Sequence, residues 1–236
     1  MGRVLRTVIA PLANIWRSTS RSSWRSLPRP NNSVVTDSPG TRPIRLLLFG
    51  GGVAVGFGTV AHDVALAGHL GRKITALSRR GVTVEVLAEE TAEIGGSQTL
   101  LKRADLSQFD AIVASYGGPE SATFMSANQW RSLLNGMLNA VSQTAAPELE
   151  VFLLGIPILQ SIPGIWGSAA RHRAAKFDNI SREIATAWPR VTFVNVDSLN
   201  LEMQQAMSSR TYAAWAIRLA PQIVEVLVGK AHPLPV

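Results

Sequence analysis

Apolar residues along the chain alternate between short runs and helical spacing. Arg45–Phe49 is a brief apolar run that ends in glycines, as a buried strand entering a turn does. From Ala61 to about Ser78, Val64, Leu66, Leu70, Ile74 and Leu77 form one side of a helix. Val82–Leu87 and Ala111–Tyr116 read as the second and third strands. Ala127–Thr144 reads as a helix through Trp130, Leu133, Leu134, Met137, Leu138 and Val141. Glu150–Ile156 is a fourth strand, followed by a helix from about Ala169 to Ala187. Val191–Val196 is a fifth strand, and a last helix spans roughly Ser209–Val228. Short apolar strands separated by amphipathic helices predict an α/β fold with a five-stranded parallel sheet covered on both faces, a three-layer α/β/α sandwich. In such sheets function collects beyond the carboxyl ends of the strands. Those loops begin here at Gly50, Ala88, Gly117, Pro157 and Asp197.

Before Pro43 the pattern changes. Val4, Leu5, Val8, Ile9, Leu12, Ile15 and Trp16 recur at helical spacing among Arg3, Arg6 and Arg17, while Pro11 and Asn14 interrupt them. No run reaches the roughly 18 apolar residues needed to span a bilayer, and no signal-peptidase site follows. Such a segment suits peripheral contact with an anionic membrane surface, with a basic arm or a short packed helix as the alternative. Residues 18–43, rich in Ser, Arg, Pro and Asn, read as a linker. The expected organisation is an arm and linker over 1–43, a domain over 44–230 and a tail over 231–236. The expected location is the cytoplasm, with contact at the inner membrane surface.

Composition narrows the functional classes. With 46% hydrophobic residues among 236, the chain holds enough apolar material for a sizeable core. It has no cysteine, so disulfides and thiolate chemistry are excluded, and its four histidines lack metal-ligand spacing. The net charge is +7, but residues 1–40 hold six arginines against Asp37, which accounts for +5. The remaining chain is nearly neutral, so no nucleic-acid partner is expected. No cofactor is implied.

Three blocks carry candidate chemistry. The first is Leu48-Phe49-Gly50-Gly51-Gly52-Val53-Ala54-Val55-Gly56-Phe57-Gly58. The second is Ala111-Ile112-Val113-Ala114-Ser115-Tyr116-Gly117-Gly118-Pro119-Glu120. The third is Ser208-Ser209-Arg210-Thr211-Tyr212-Ala213-Ala214-Trp215-Ala216, continued by Leu219-Ala220-Pro221. In this order they resemble the L-G-D-S-x-x-x-G-x-G, G-x-N-D and H-P-S-x-x-G-Y-x-x-W-A segments of the bacterial SGNH/GDSL hydrolase (esterase) family, over about residues 44–228. The resemblance implies a flavodoxin-like strand order 2-1-3-4-5. It also implies hydrolysis of esters by a serine nucleophile, a histidine base and an orienting aspartate, with an oxyanion hole that includes an asparagine.

Carried over position by position, those groups are absent. The nucleophile falls on Gly52 and the preceding aspartate on Gly51. The asparagine falls on Pro119, the histidine on Ala206 and its aspartate on Met203. The glycine of the family's remaining block falls near Thr91 or Ala92, with Gly95 and Gly96 reachable by a small shift. Losing nucleophile and base together removes many powers of ten in rate. The resemblance therefore implies an inactive relative, whose degenerate cleft is left for a small acyl or ester-like ligand. The oligomeric state is not readable.

Other constellations remain open as alternatives. Ser115 or Ser121 with His62 would make a relocated esterase site, although Ser115 is expected inside its strand and His62 at a helix start or facing solvent. Glu89, Glu90, Glu93 and Glu120 would hold a cation if they shared a rim, whereas a solvated loop paired with Lys102 and Arg103 explains them without one. Gly50-Gly51-Gly52 with Gly56 and Gly58 lacks both phosphate-loop signatures. The competing functional reading is a divergent active hydrolase with a moved nucleophile or a metal-assisted site.

Overall fold

The computed structural model describes residues 27–157, 164–196 and 207–229. The apolar positions of the N-terminal arm, Met203 and Ala206 lie outside the described residues. In chain order the elements are β1 (Val35–Ser38), β2 (Thr41–Gly50), α1 (Leu66–Ser78), β3 (Arg80–Ala88), α2 (Ser97–Leu101), β4 (Ala111–Ser115), α3 (Gly118–Ala122), α4 (Ala127–Thr144), β5 (Glu150–Leu154), α5 (Gly164–Ala187), β6 (Val191–Val194) and α6 (Ser209–Gly229).

One six-stranded sheet has the order β1-β3-β2-β4-β5-β6. Strands β2 to β6 pair in parallel. Counted among themselves they run 2-1-3-4-5, as the resemblance implies.

Strand alternation divides the core in two. Ile44, Leu46 and Leu48 of β2 face one side, where Leu66, Leu70 and Ile74 of α1 and Tyr212, Trp215, Leu219 and Ile223 of α6 cover them. Leu47 and Phe49 face the other side, against Trp130, Leu134 and Met137 of α4 and Phe177 and Ile180 of α5. Both faces of β2 are thus buried, which is why its sequence runs apolar without alternation. The last helix is tied to the first loop by Tyr212, whose hydroxyl donates to the Phe57 carbonyl at 2.9 Å.

Part of the stretch read as linker belongs to the sheet. Val35–Ser38 pairs antiparallel with β3, the Val86 N–H donates to the Val34 carbonyl at 2.8 Å, and Thr36 is buried. Strand β2 also starts at Thr41 rather than at Arg45. Gly40 makes the tight passage from β1 to β2, since a Cβ there would lie 2.4 Å from the Gly81 nitrogen. A four-residue edge strand bounded by Ser, Pro and Gly has too few positions to show a period.

Candidate functional site

The carboxyl ends of β2, β3 and β4 converge on the first glycine loop. The Gly51 N–H donates to the Ser115 carbonyl at 2.9 Å, and the Glu89 N–H donates to the Gly50 carbonyl at 3.0 Å. Gly50 has φ +118, and a Cβ there would lie 2.4 Å from the Ser115 carbonyl oxygen. A single 3₁₀ turn, Gly52–Val55, follows. At Gly58 a Cβ would lie 1.9 Å from the Met207 carbonyl oxygen. These glycines serve close backbone packing, which explains the run without a phosphate.

Gly51, Gly52 and Pro119 line one small cleft together with Ala92, Ser115 and Met207. Among the described residues its cavity volume is ≈ 20 Å³, room for about one water. Thr91 is exposed, and its neighbour Ala92 lines the cleft. Gly95 and Gly96 do not line it. Ala206, which like Met203 lies outside the described residues, immediately precedes Met207 in the sequence.

Gly52, where the resemblance puts the nucleophile, has φ +58, and the nearest atom to a Cβ there would be the Ser115 Oγ at 3.9 Å. Ser115 ends β4 as expected and is buried. Ser121 is engaged otherwise, its hydroxyl donating to the Gly118 carbonyl at 2.8 Å. His62 is not at the surface, as its place near a helix start suggested, but buried in the turn before α1. Its Nδ1 has no partner, and burial lowers its pKa against the opposing charge of Asp63.

A serine–histidine contact does occur elsewhere, between His69 Nε2 and Ser209 Oγ at 2.9 Å. Sequence reasoning missed it, because residues 140 apart leave no local pattern. Arg72 Nη2 lies 3.1 Å from His69 Nδ1. A guanidinium only donates, so Nδ1 accepts and the ring proton sits on Nε2, pointing at Ser209. In that tautomer the imidazole cannot take the serine proton.

Three of the four acidic residues are engaged separately. Glu89 pairs with Arg103 and Glu90 with Arg29, while Glu120 is completely buried. One Glu120 oxygen accepts the Ile94 N–H at 2.7 Å and the other the Gly117 N–H at 2.9 Å. Burial, with a further push from Glu93, raises its pKa to about 7 against the lowering effect of those N–H donors. Beside it the Tyr116 ring packs edge-on to Phe49, centroids 5.5 Å apart. The Tyr116 hydroxyl is buried with no partner. Its pKa is pushed up by burial, then by Glu120 and Glu89. Among the described residues no group of three acidic or histidine side chains could hold a metal, and no helix is long and apolar enough to cross a membrane.

No family model matches the sequence, and no curated protein matches it. Solved structures do match. A lipase from a goat rumen metagenome superposes with TM-score 0.60 at 16% identity, over 75% of this chain and 96% of that one. A carbohydrate esterase family 2 enzyme of Corynascus thermopiles gives TM-score 0.61 at 14% identity, over 81% and 68%. The lipase/acylhydrolase of Enterococcus faecalis gives 0.54 at 16%, over 82% and 100%. The fold is that of the SGNH/GDSL hydrolases.

Proposed function

We propose that this chain is an SGNH/GDSL-type domain that does not hydrolyse esters by the mechanism its fold ordinarily supports. The observation that carries the reading is Gly52. The residue that follows β2 at the cleft, where the resemblance puts the nucleophile, has no side chain and a left-handed backbone. Two further features support it. Pro119 stands on the opposite wall with neither a side-chain amide nor a backbone N–H, and Ala206 stands where the base is expected.

The competing reading, a relocated nucleophile, has one observation in its favour, the Ser115 hydroxyl near the Gly52 position. No described histidine lines the cleft to activate it, and an unactivated serine hydroxyl is a weak nucleophile.

Purified protein is expected to leave short p-nitrophenyl esters at the background rate and to take no covalent fluorophosphonate label. Hydrolysis that disappears in Ser115→Ala, with label on that residue, would overturn the proposal in favour of the relocated site.

A further inference from the structure

We propose that Glu120 is a proton-linked clasp that holds the two walls of the cleft together and loosens as it loses its proton. Ala92 and Ile94 belong to the loop after β3, and Ala92 lines one side of the cleft. Gly118 and Pro119 open α3 and line the other. A direct polar link between these loops is one carboxyl group. Its Oε1 accepts from Ile94 at 2.7 Å and its Oε2 from Gly117 at 2.9 Å. Within α3, Glu120 stands three residues after the cap Gly117 and reaches back to its N–H, as a capping-box glutamate does.

The surroundings of that carboxyl oppose its charge. It is fully buried, and among the described residues no cation pairs with it. Glu93 faces it from the β3–α2 loop and adds like charge. Glu89, in the same loop, is paired with Arg103. Tyr116 at the end of β4 contributes a phenol without a hydrogen-bond partner. From α5, Arg173 spends one nitrogen on the Met125 carbonyl at 2.8 Å and lies over the Phe124 ring. Asp178 of α5 accepts from the Ile156 N–H at 3.0 Å. The Ile94 and Gly117 N–H groups and its own backbone N–H favour the anion, but not enough to offset its burial beside another carboxylate, and the group holds its proton up to about pH 7.

Opening the clasp returns Glu120 to water, where a carboxyl ionises near its ordinary value of 4.5. The closed form therefore binds the proton more tightly than the open form. Closure is fully favoured below the open-form value, and the advantage is lost as pH rises through the closed-form value. The walls are bound most firmly in mild acid and are freest above neutrality. The inference does not depend on whether the cleft performs chemistry, since its readout needs neither ligand nor turnover.

Hydrogen exchange of the Ile94 and Gly117 amides, corrected for intrinsic rates, tests this between pH 5 and 8. The opening constant of both amides is expected to rise about tenfold per pH unit until near pH 7, then level off. In Glu120→Gln it is expected to be flat. A carbon-13 titration of the Glu120 carboxyl in the wild-type chain covers the case in which that variant does not fold, and its midpoint must coincide with the plateau. Opening constants that do not vary with pH, a carboxyl midpoint in the ordinary 4–5 range, or an undiminished slope in the variant would each overturn the clasp.

Discussion

A Cβ at Gly51 would sit 2.7 Å from the Ala92 carbonyl oxygen, whereas one at Gly52 would meet nothing nearer than 3.9 Å. The two adjacent glycines therefore differ in why they are glycines. Gly51 has φ −138, an ordinary extended value, and is small because the β3 loop crosses it. Gly52 has space around it but a left-handed backbone. Putting serine at Gly52 is expected to cost about 1–2 kcal/mol, the penalty for a Cβ in that conformation. Gly51→Asp is expected to cost more, in the upper part of the roughly 1–3 kcal/mol range for overpacking, because backbone must move. Thermal denaturation of the two single variants ranks them, and an equal or reversed order would sink the distinction. The double variant is expected to remain inactive on esters, since it still lacks a base. Glu120 shows the limit of sequence reading at this scale. Among Glu89, Glu90 and Glu93 it reads as one more solvated acid, and the only hint otherwise is its spacing of three from Gly117 in a turn-to-helix passage.

Elements were legible where period and cap agreed. Helix α4 occupies Ala127–Thr144 as predicted, its amphipathic repeat opened by Ser126, whose side chain accepts the Gln129 N–H at 3.2 Å. The strand ladders stop before their apolar runs do. Tyr116, Ile156 and Val196 are buried beyond β4, β5 and β6 without continuing them, because burial and strand pairing end at different residues. The predicted helix from Ala61 is broken at Ala65, which is extended between a 3₁₀ turn and α1. Strand β1 was hidden altogether, and it covers the otherwise open edge of β3. Removing residues 1–38 is therefore expected to bare that edge and promote association between copies. Sedimentation at increasing concentration checks this, and a truncated chain that stays monomeric would show that β1 is dispensable as an edge guard. Convergence of Gly51, Gly52 and Pro119 was readable because each follows a strand of a parallel sheet. The His69–Ser209 contact was not, since it depends on how α1 and α6 pack.

At the scale of the whole molecule, buried groups with opposite proton linkage act on one stability curve. Glu120 has a raised folded-state pKa, so its contribution is complete below pH 4.5 and is lost as pH rises toward 7. His62 and His69 have lowered values, chiefly from burial, with Arg72 adding to the effect at His69. Their contribution is present above the unfolded value of 6.5 and is lost as pH falls through their lowered folded values. Between those limits the slopes oppose, so the pH dependence of the wild-type chain's stability is expected to be weaker than that of either contribution alone. Glu120→Gln removes one of the two slopes. In that variant the urea midpoint is expected to rise with pH over the same interval, because only the histidine linkage remains. Parallel profiles for the two chains would mean that Glu120 ionises alike in the folded and unfolded states. A buried carboxyl without a cation would then owe its tolerance to the Ile94, Gly117 and Glu120 N–H groups around it.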